Sequence, residues 1–164
     1  MGNLAREIIG KLKLANKPED LDGWIWKAGD LLAKFQSESF RSGFEDIDKE
    51  EVSREEKQQI QDALLEALGR NSDARFISQV LDALGCSREP SLKQLYIDFL
   101  ATFLKQTKTS NRVLYSVLLA LHDLGEPVFE VRPDGGASQS VVEVDKNIQQ
   151  ADRYLQSRGI VIPW

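Results

Sequence analysis

One histidine, one cysteine and a dense run of carboxylates are the residues with which this chain could do chemistry. A general base would have to be His122, which is followed by Asp123 in an otherwise apolar stretch. Adjacent residues of a helix point about 100° apart, so this is not the pair in which a carboxylate orients an imidazole. His122 is therefore read as a structural or surface histidine. Cys86 follows Gly85, where a thiol could be reactive, but no matched histidine accompanies it, and it is read as a bland thiol. One His and one Cys cannot build a zinc site, and the acids between Glu45 and Glu51 lack the central glycine of a calcium loop. No glycine-rich phosphate loop is present; Gly135-Gly136 reads as a turn. The expectation is a protein that is not an enzyme, with no catalytic residue, no metal, no cofactor and no small-molecule substrate.

The carboxylates are informative through their distribution. From Glu38 to Glu66 there are ten acids and four bases, a local charge of −6 in a chain whose total is −5. The rest of the chain is thus close to neutral. A block of this sign repels phosphates and argues against nucleic acid. It suits a basic protein, whose association it would speed more than it would tighten. The candidate binding acids are Glu45, Asp46, Asp48, Glu50 and Glu51, with Glu55 in the helix that follows. The alternative is a solvated linker whose acids favour the positive end of that helix.

The elements that must position these groups are helical. Leu92, Leu95, Tyr96, Phe99, Leu100, Phe103 and Leu104 form one continuous stripe, and Leu21, Trp24, Ile25, Ala28, Leu31, Leu32 and Phe35 repeat it. Shorter versions are Ile60, Ala63, Leu64, Ala67, Leu68 and Phe76, Ile77, Val80, Leu81, Leu84. Val113 to Leu124 is apolar nearly all round and should be central. Ser53 and Glu56 have capping-box spacing, Pro18-Glu19-Asp20 suits a helix start, and Asp145 can cap a last helix to Arg158. Gly69, Gly85 and Gly125 each follow a leucine and read as left-handed helix stops. The spacing of Gly85 and Gly125 is about that of one two-helix repeat. It would pair Asp73–Leu84 with Leu92–Lys105, and Val113–Leu124 with Asp145–Arg158. The predicted fold is all-α, a single helical domain over residues 1–164 built of antiparallel hairpins, either HEAT-like or an irregular bundle. Val128-Phe129-Glu130-Val131 and Val141-Val142-Glu143-Val144 flank Pro133-Asp134-Gly135-Gly136 and form either a small β-hairpin or an extended loop. The tail Ile160 to Trp164 should dock on the body, with Trp164 as anchor.

With Leu21 at zero, the stripe to Phe35 centres near 330° and Trp26 falls at about 140°, on the opposite face. Cover by another segment is the expected state of Trp26, because tryptophan is mostly buried; exposed, it would be a binding anchor. Met1 to Asn16 has Ile8-Ile9 but also Arg6, Lys11 and Lys13, and lacks the apolar stretch of a signal peptide. No apolar run approaches the ~18–20 residues that span a bilayer. A lone cysteine fits a reducing compartment, so a cytoplasmic protein without membrane contact is expected.

Residues 72–164 resemble the helical-repeat immunity proteins of bacterial polymorphic-toxin systems. The likeness is carried by the run Leu118 to Phe129, by Asp145-Lys146-Asn147-Ile148, by Tyr154-Leu155 and by Ile162-Pro163-Trp164. The resemblance implies a cytoplasmic antitoxin that occludes a cognate toxin domain, often a basic nuclease, and the acids could fill the groove where such a toxin holds phosphates. The alternative is a helical-repeat adaptor or scaffold.

Overall fold

The computed structural model describes residues 2–37, 39–106 and 110–163. Glu38 of the acidic block and Trp164, the expected anchor of the tail, lie outside them. Among the described residues the chain is all-α, with nine α-helices, one 3-10 turn and no strand. It divides into two compact units, Met1–Arg88 and Glu89–Trp164.

The first unit holds α1 (Asn3–Leu14), α2 (Pro18–Leu21), α3 (Trp24–Gln36), α4 (Glu45–Lys49), α5 (Arg54–Leu68) and α6 (Ala74–Gly85). Helix α1 packs on α5 and α3, and α6 packs on α3, α5 and α2. Their shared core is Ile8, Leu12, Leu31, Leu32, Ile60, Leu64, Phe76, Leu81 and Leu84, all fully buried. Each such side chain contributes roughly 1.5–3 kcal/mol relative to an exposed one. The stripe from Leu21 to Phe35 is not one helix. Gly23 turns the chain at φ +80°, so Leu21 closes α2 and Trp24 opens α3.

The capping box at α5 forms as its spacing requires: Glu56 N–H donates to Ser53 Oγ at 3.1 Å and Ser53 N–H to the Glu56 carboxylate at 2.9 Å. Two expected glycine stops work differently. Gly69 keeps a helical φ of −80°, and Gly85 is the last residue of α6. The left-handed turn after α6 comes at Arg88 (φ 45°), after the Ser87 hydroxyl has bonded the Leu84 carbonyl at 2.7 Å. Only Gly125 of the three adopts the left-handed conformation, at φ +84°.

The second unit comprises a 3-10 turn (Pro90–Leu92), α7 (Lys93–Leu104), α8 (Asn111–Asp123) and α9 (Val144–Ser157), the three helices packing on one another. As expected of its composition, α8 is covered on more than one side, with Val113, Leu114, Val117, Leu118 and Leu121 fully buried. Glu126, in the connection after α8, ties the unit together. Its carboxylate accepts from Lys93 Nζ at 2.8 Å, from the Tyr154 hydroxyl at 3.2 Å and from the Arg158 guanidinium.

The Val128–Val144 region is a loop with one tight turn. Arg132 N–H donates to the Gly136 carbonyl at 2.6 Å, Gly135 sits at φ +85°, and Val131 bridges Ala137 in antiparallel sense. That bridge is the only β pairing among the described residues, so the hairpin between Val128–Val131 and Val141–Val144 does not form. The approach to α9 is instead held from the helices: Asn111 Nδ2 donates to the Val141 carbonyl and Asn147 Nδ2 to that of Ser140 at 2.9 Å. The tail docks through Ile162, which is 3% exposed.

Candidate partner-binding surface

Helix α3 buries Ile25, Ala28, Gly29, Leu31 and Leu32 on one face. Trp26 lies on the other and is 73% exposed, so the expected cover is absent among the described residues. The indole beside it, Trp24, behaves differently: it is half-buried, with the ammonium groups of Lys11 and Lys27 at 5.3 and 5.2 Å from its ring.

The acidic segment is folded, contrary to a plain linker. Residues 45–49 form the short helix α4, seated on α3 by the fully buried Ile47. Lys34 of α3 clamps its C-terminal end, with Nζ donating to the carbonyls of Ile47 at 2.9 Å, Asp48 at 2.8 Å and also Glu50. An ammonium suits that position because the last turn of a helix leaves its carbonyls without intrahelical partners. At the other end Gly43 takes φ +85°, and the Asp48 carboxylate accepts from the amides of Ser42 (2.8 Å) and Gly43 (3.3 Å).

The candidate acids therefore divide. Asp48 and Glu50 face backbone amides: Asp48 closes the loop before α4, and Glu50 accepts from Ala5 N–H at 3.3 Å in the first turn of α1. Glu56, outside the candidate set, accepts from Gly2 N–H at 2.5 Å beside it. Two carboxylates at one helix N-terminus answer the positive end of its dipole. The Ser53 amide chiefly, with that of Gly2, holds the Glu56 carboxyl below the ordinary range. Glu45, Asp46, Glu51 and Glu55 are exposed. Glu45 pairs with Lys49 one turn on, Asp46 pairs with Lys27 at 3.0 Å, and Glu55 accepts from Gln59 at 3.3 Å. The Lys27 bond holds the Asp46 carboxyl below its ordinary range.

Two residues join this surface that the sequence reading did not single out. Phe44 is 60% exposed immediately before α4. Asp30 lies one turn from Trp26 on α3 and has no hydrogen-bond or ion-pair partner among the described residues. Burial, with a smaller contribution from Asp48, pushes its carboxyl up. The signal for Phe44 was an aromatic between Gly43 and an acidic run. That for Asp30 was its place on α3 opposite the apolar stripe. The Lys27–Asp46 ion pair joins α3 to α4, with Lys27 next in sequence to Trp26 and Asp46 two residues after Phe44.

The other chemical candidates lie elsewhere in the chain. His122 is half-buried and edge-on to Phe129, ring centroids 5.4 Å apart. The Cys86 thiol, half-buried, donates to the Asp82 carbonyl at 3.3 Å. Among the described residues no three His, Cys, Asp or Glu side chains converge as a metal ion would require, and no helix is long and apolar enough to cross a membrane. Comparison with protein-family models, curated proteins and solved structures finds no match to this chain.

Proposed function

We propose that this chain is a binding protein of the immunity class, an antitoxin that neutralises a cognate bacterial toxin domain, a basic nuclease, in the cytoplasm. Trp26 carries the reading: an indole 73% exposed on a helix whose opposite face is fully committed to the core. Tryptophan anchors dominate many protein interfaces, and a large exposed indole forgoes roughly 1.5–3 kcal/mol of burial that a partner can supply. The net charge of −6 from Glu38 to Glu66, with Glu45, Asp46, Glu51 and Glu55 exposed, supports a basic protein partner over nucleic acid. Inhibition would be steric and electrostatic, without turnover.

The exposed valines of the second unit, Val131 at 77%, Val142 at 80% and Val144 at 44%, favour a second reading, an adaptor or scaffold with more than one ligand. Affinity capture of the tagged chain from its own cytosol separates the two. One stoichiometric basic protein, lethal alone and harmless with this chain, supports the antitoxin; several substoichiometric partners without rescue support the adaptor. Trp26→Ala should cost the captured partner at least about tenfold in affinity.

A further inference from the structure

We infer that Trp26 and Asp30 together form the seat for one arginine side chain of a basic protein partner. The inference rests on the binding role proposed above and assigns the residue that fixes the partner's register.

Residues four apart on a helix carry their Cβ atoms about 5–6 Å apart on one side, so the indole and the carboxylate are neighbours. The two lysines nearest in sequence on that side are already engaged. Lys27 pairs with Asp46 and lies over Trp24, and Lys34 donates to three carbonyls at the end of α4. Asp48, the acid whose charge Asp30 feels, spends its carboxylate on two loop amides. Asp30 is thus a half-buried anion with a second anion near it and no ion-pair partner among the described residues. Burial chiefly, and the charge of Asp48 after it, raises the proton affinity of Asp30.

The chemistry of the seat selects the occupant. A cation relieves Asp30, and an aromatic face beside it favours a flat one. Guanidinium stacks on indole while offering paired N–H donors to a carboxylate; an ammonium can satisfy one of these demands well but not both. A bare metal ion finds too few ligands, since the described residues hold no convergent set of three.

The test uses the full chain and two probes, hexa-arginine and hexa-lysine peptides, at low salt. The Trp26 indole N–H resonance, identified by its loss in Trp26→Phe, is followed by NMR. Saturable movement of that resonance is expected, tighter with arginine than with lysine. Asp30→Asn should weaken arginine binding about two- to fivefold, while Glu66→Gln, an exposed acid on α5, changes it far less. No movement of the Trp26 resonance, or equal losses in the two variants, would overturn the seat. Because Asp30 holds no described bond, its variant should keep the wild-type circular dichroism. A cytosolic partner lost with Trp26→Ala but indifferent to Asp30→Asn would sink the seat alone. A responding seat with no basic partner in the cytosol would sink the antitoxin reading alone.

Discussion

Replacing Glu126 by Gln should cost the protein about 2 kcal/mol at neutral pH, and the figure follows from three bonds. Hydrogen bonds to a charged group contribute about 1.5–3 kcal/mol each when both partners are dry. Here Glu126 is 9% exposed, but the Lys93 and Arg158 side chains remain 40% and 39% exposed. Those cations regain water when the carboxylate goes, so their share falls toward the ~0.2–1 kcal/mol of exposed pairs. The Tyr154 hydroxyl, on a residue 3% exposed, keeps an acceptor in the glutamine. Alanine would remove that as well and raise the cost to about 3 kcal/mol. Urea unfolding followed by circular dichroism reads the difference as a shifted midpoint with an unchanged slope. The pH dependence is the sharper check. Lys93 foremost, then Arg158 and Tyr154, hold the Glu126 carboxyl below its ordinary value of 4.5 against the opposing effect of burial. Its stabilisation is therefore complete above that value and is lost as pH falls through the depressed one. The gap between wild type and Glu126→Gln must narrow in acid. A gap under about 0.5 kcal/mol at pH 7, or one that stays constant to low pH, would refute the reasoning.

Four further outcomes are expected. Lys34→Met should cost about 1–2 kcal/mol and speed amide exchange in residues 44–50 while sparing α6, because three carbonyls lose one donor. Asp30→Asn should stabilise by about 0.5 kcal/mol at pH 7, with the benefit fading as pH falls through the raised value of the native aspartate; denaturant melts at two pH values decide it. Trp26→Ala should leave the urea midpoint within about 0.5 kcal/mol of wild type, since the ring is exposed, and a larger loss would mean it is covered. Gly10→Ala should raise stability by about 0.8–1 kcal/mol, because a Cβ there, inside α1, meets nothing within 4 Å.

The helices were legible from their apolar stripes, and α5 from its cap as well; the expected cap at Asp145 instead lies inside α9, whose N-cap is Glu143. Ser53 and Glu56 announce α5 because both halves of the box are local, and the nearly all-apolar run from Val113 could only be a covered helix. What was illegible depended on distant groups. Leu21 fits the stripe of α3 by spacing, yet Gly23 breaks the helix at φ +80° and α2 packs on α6 as well as α1. Gly69 and Gly85 look like left-handed stops but do not become so: Arg70 reaches the Leu12 and Lys13 carbonyls at the end of α1, and Ser87 carries the chain a turn past Gly85. Valine-rich runs suggested a hairpin, but the turn after Val131 closes on Ala137, leaving Val142 in solvent. For the candidate surface, charge was visible and direction was not. Asp48 and Glu50 point to amides that only the fold brings near, Trp26 faces out where cover was expected, and Asp30 stands out only once its lysine neighbours are seen to be engaged.

The grip of Lys34 on three carbonyl oxygens has a consequence for how this surface can vary. Those oxygens belong to the main chain, so they persist whatever side chains stand at Glu45, Asp46, Lys49 or Glu51. One lysine on a neighbouring helix thus decouples where the segment sits from what it displays. The side chains of Glu45, Lys49 and Glu51 take no part in that grip, whereas Asp46 adds a side-chain tie to Lys27. Successive substitutions at those three positions should each leave the segment seated, because the platform is built from atoms that mutation does not alter.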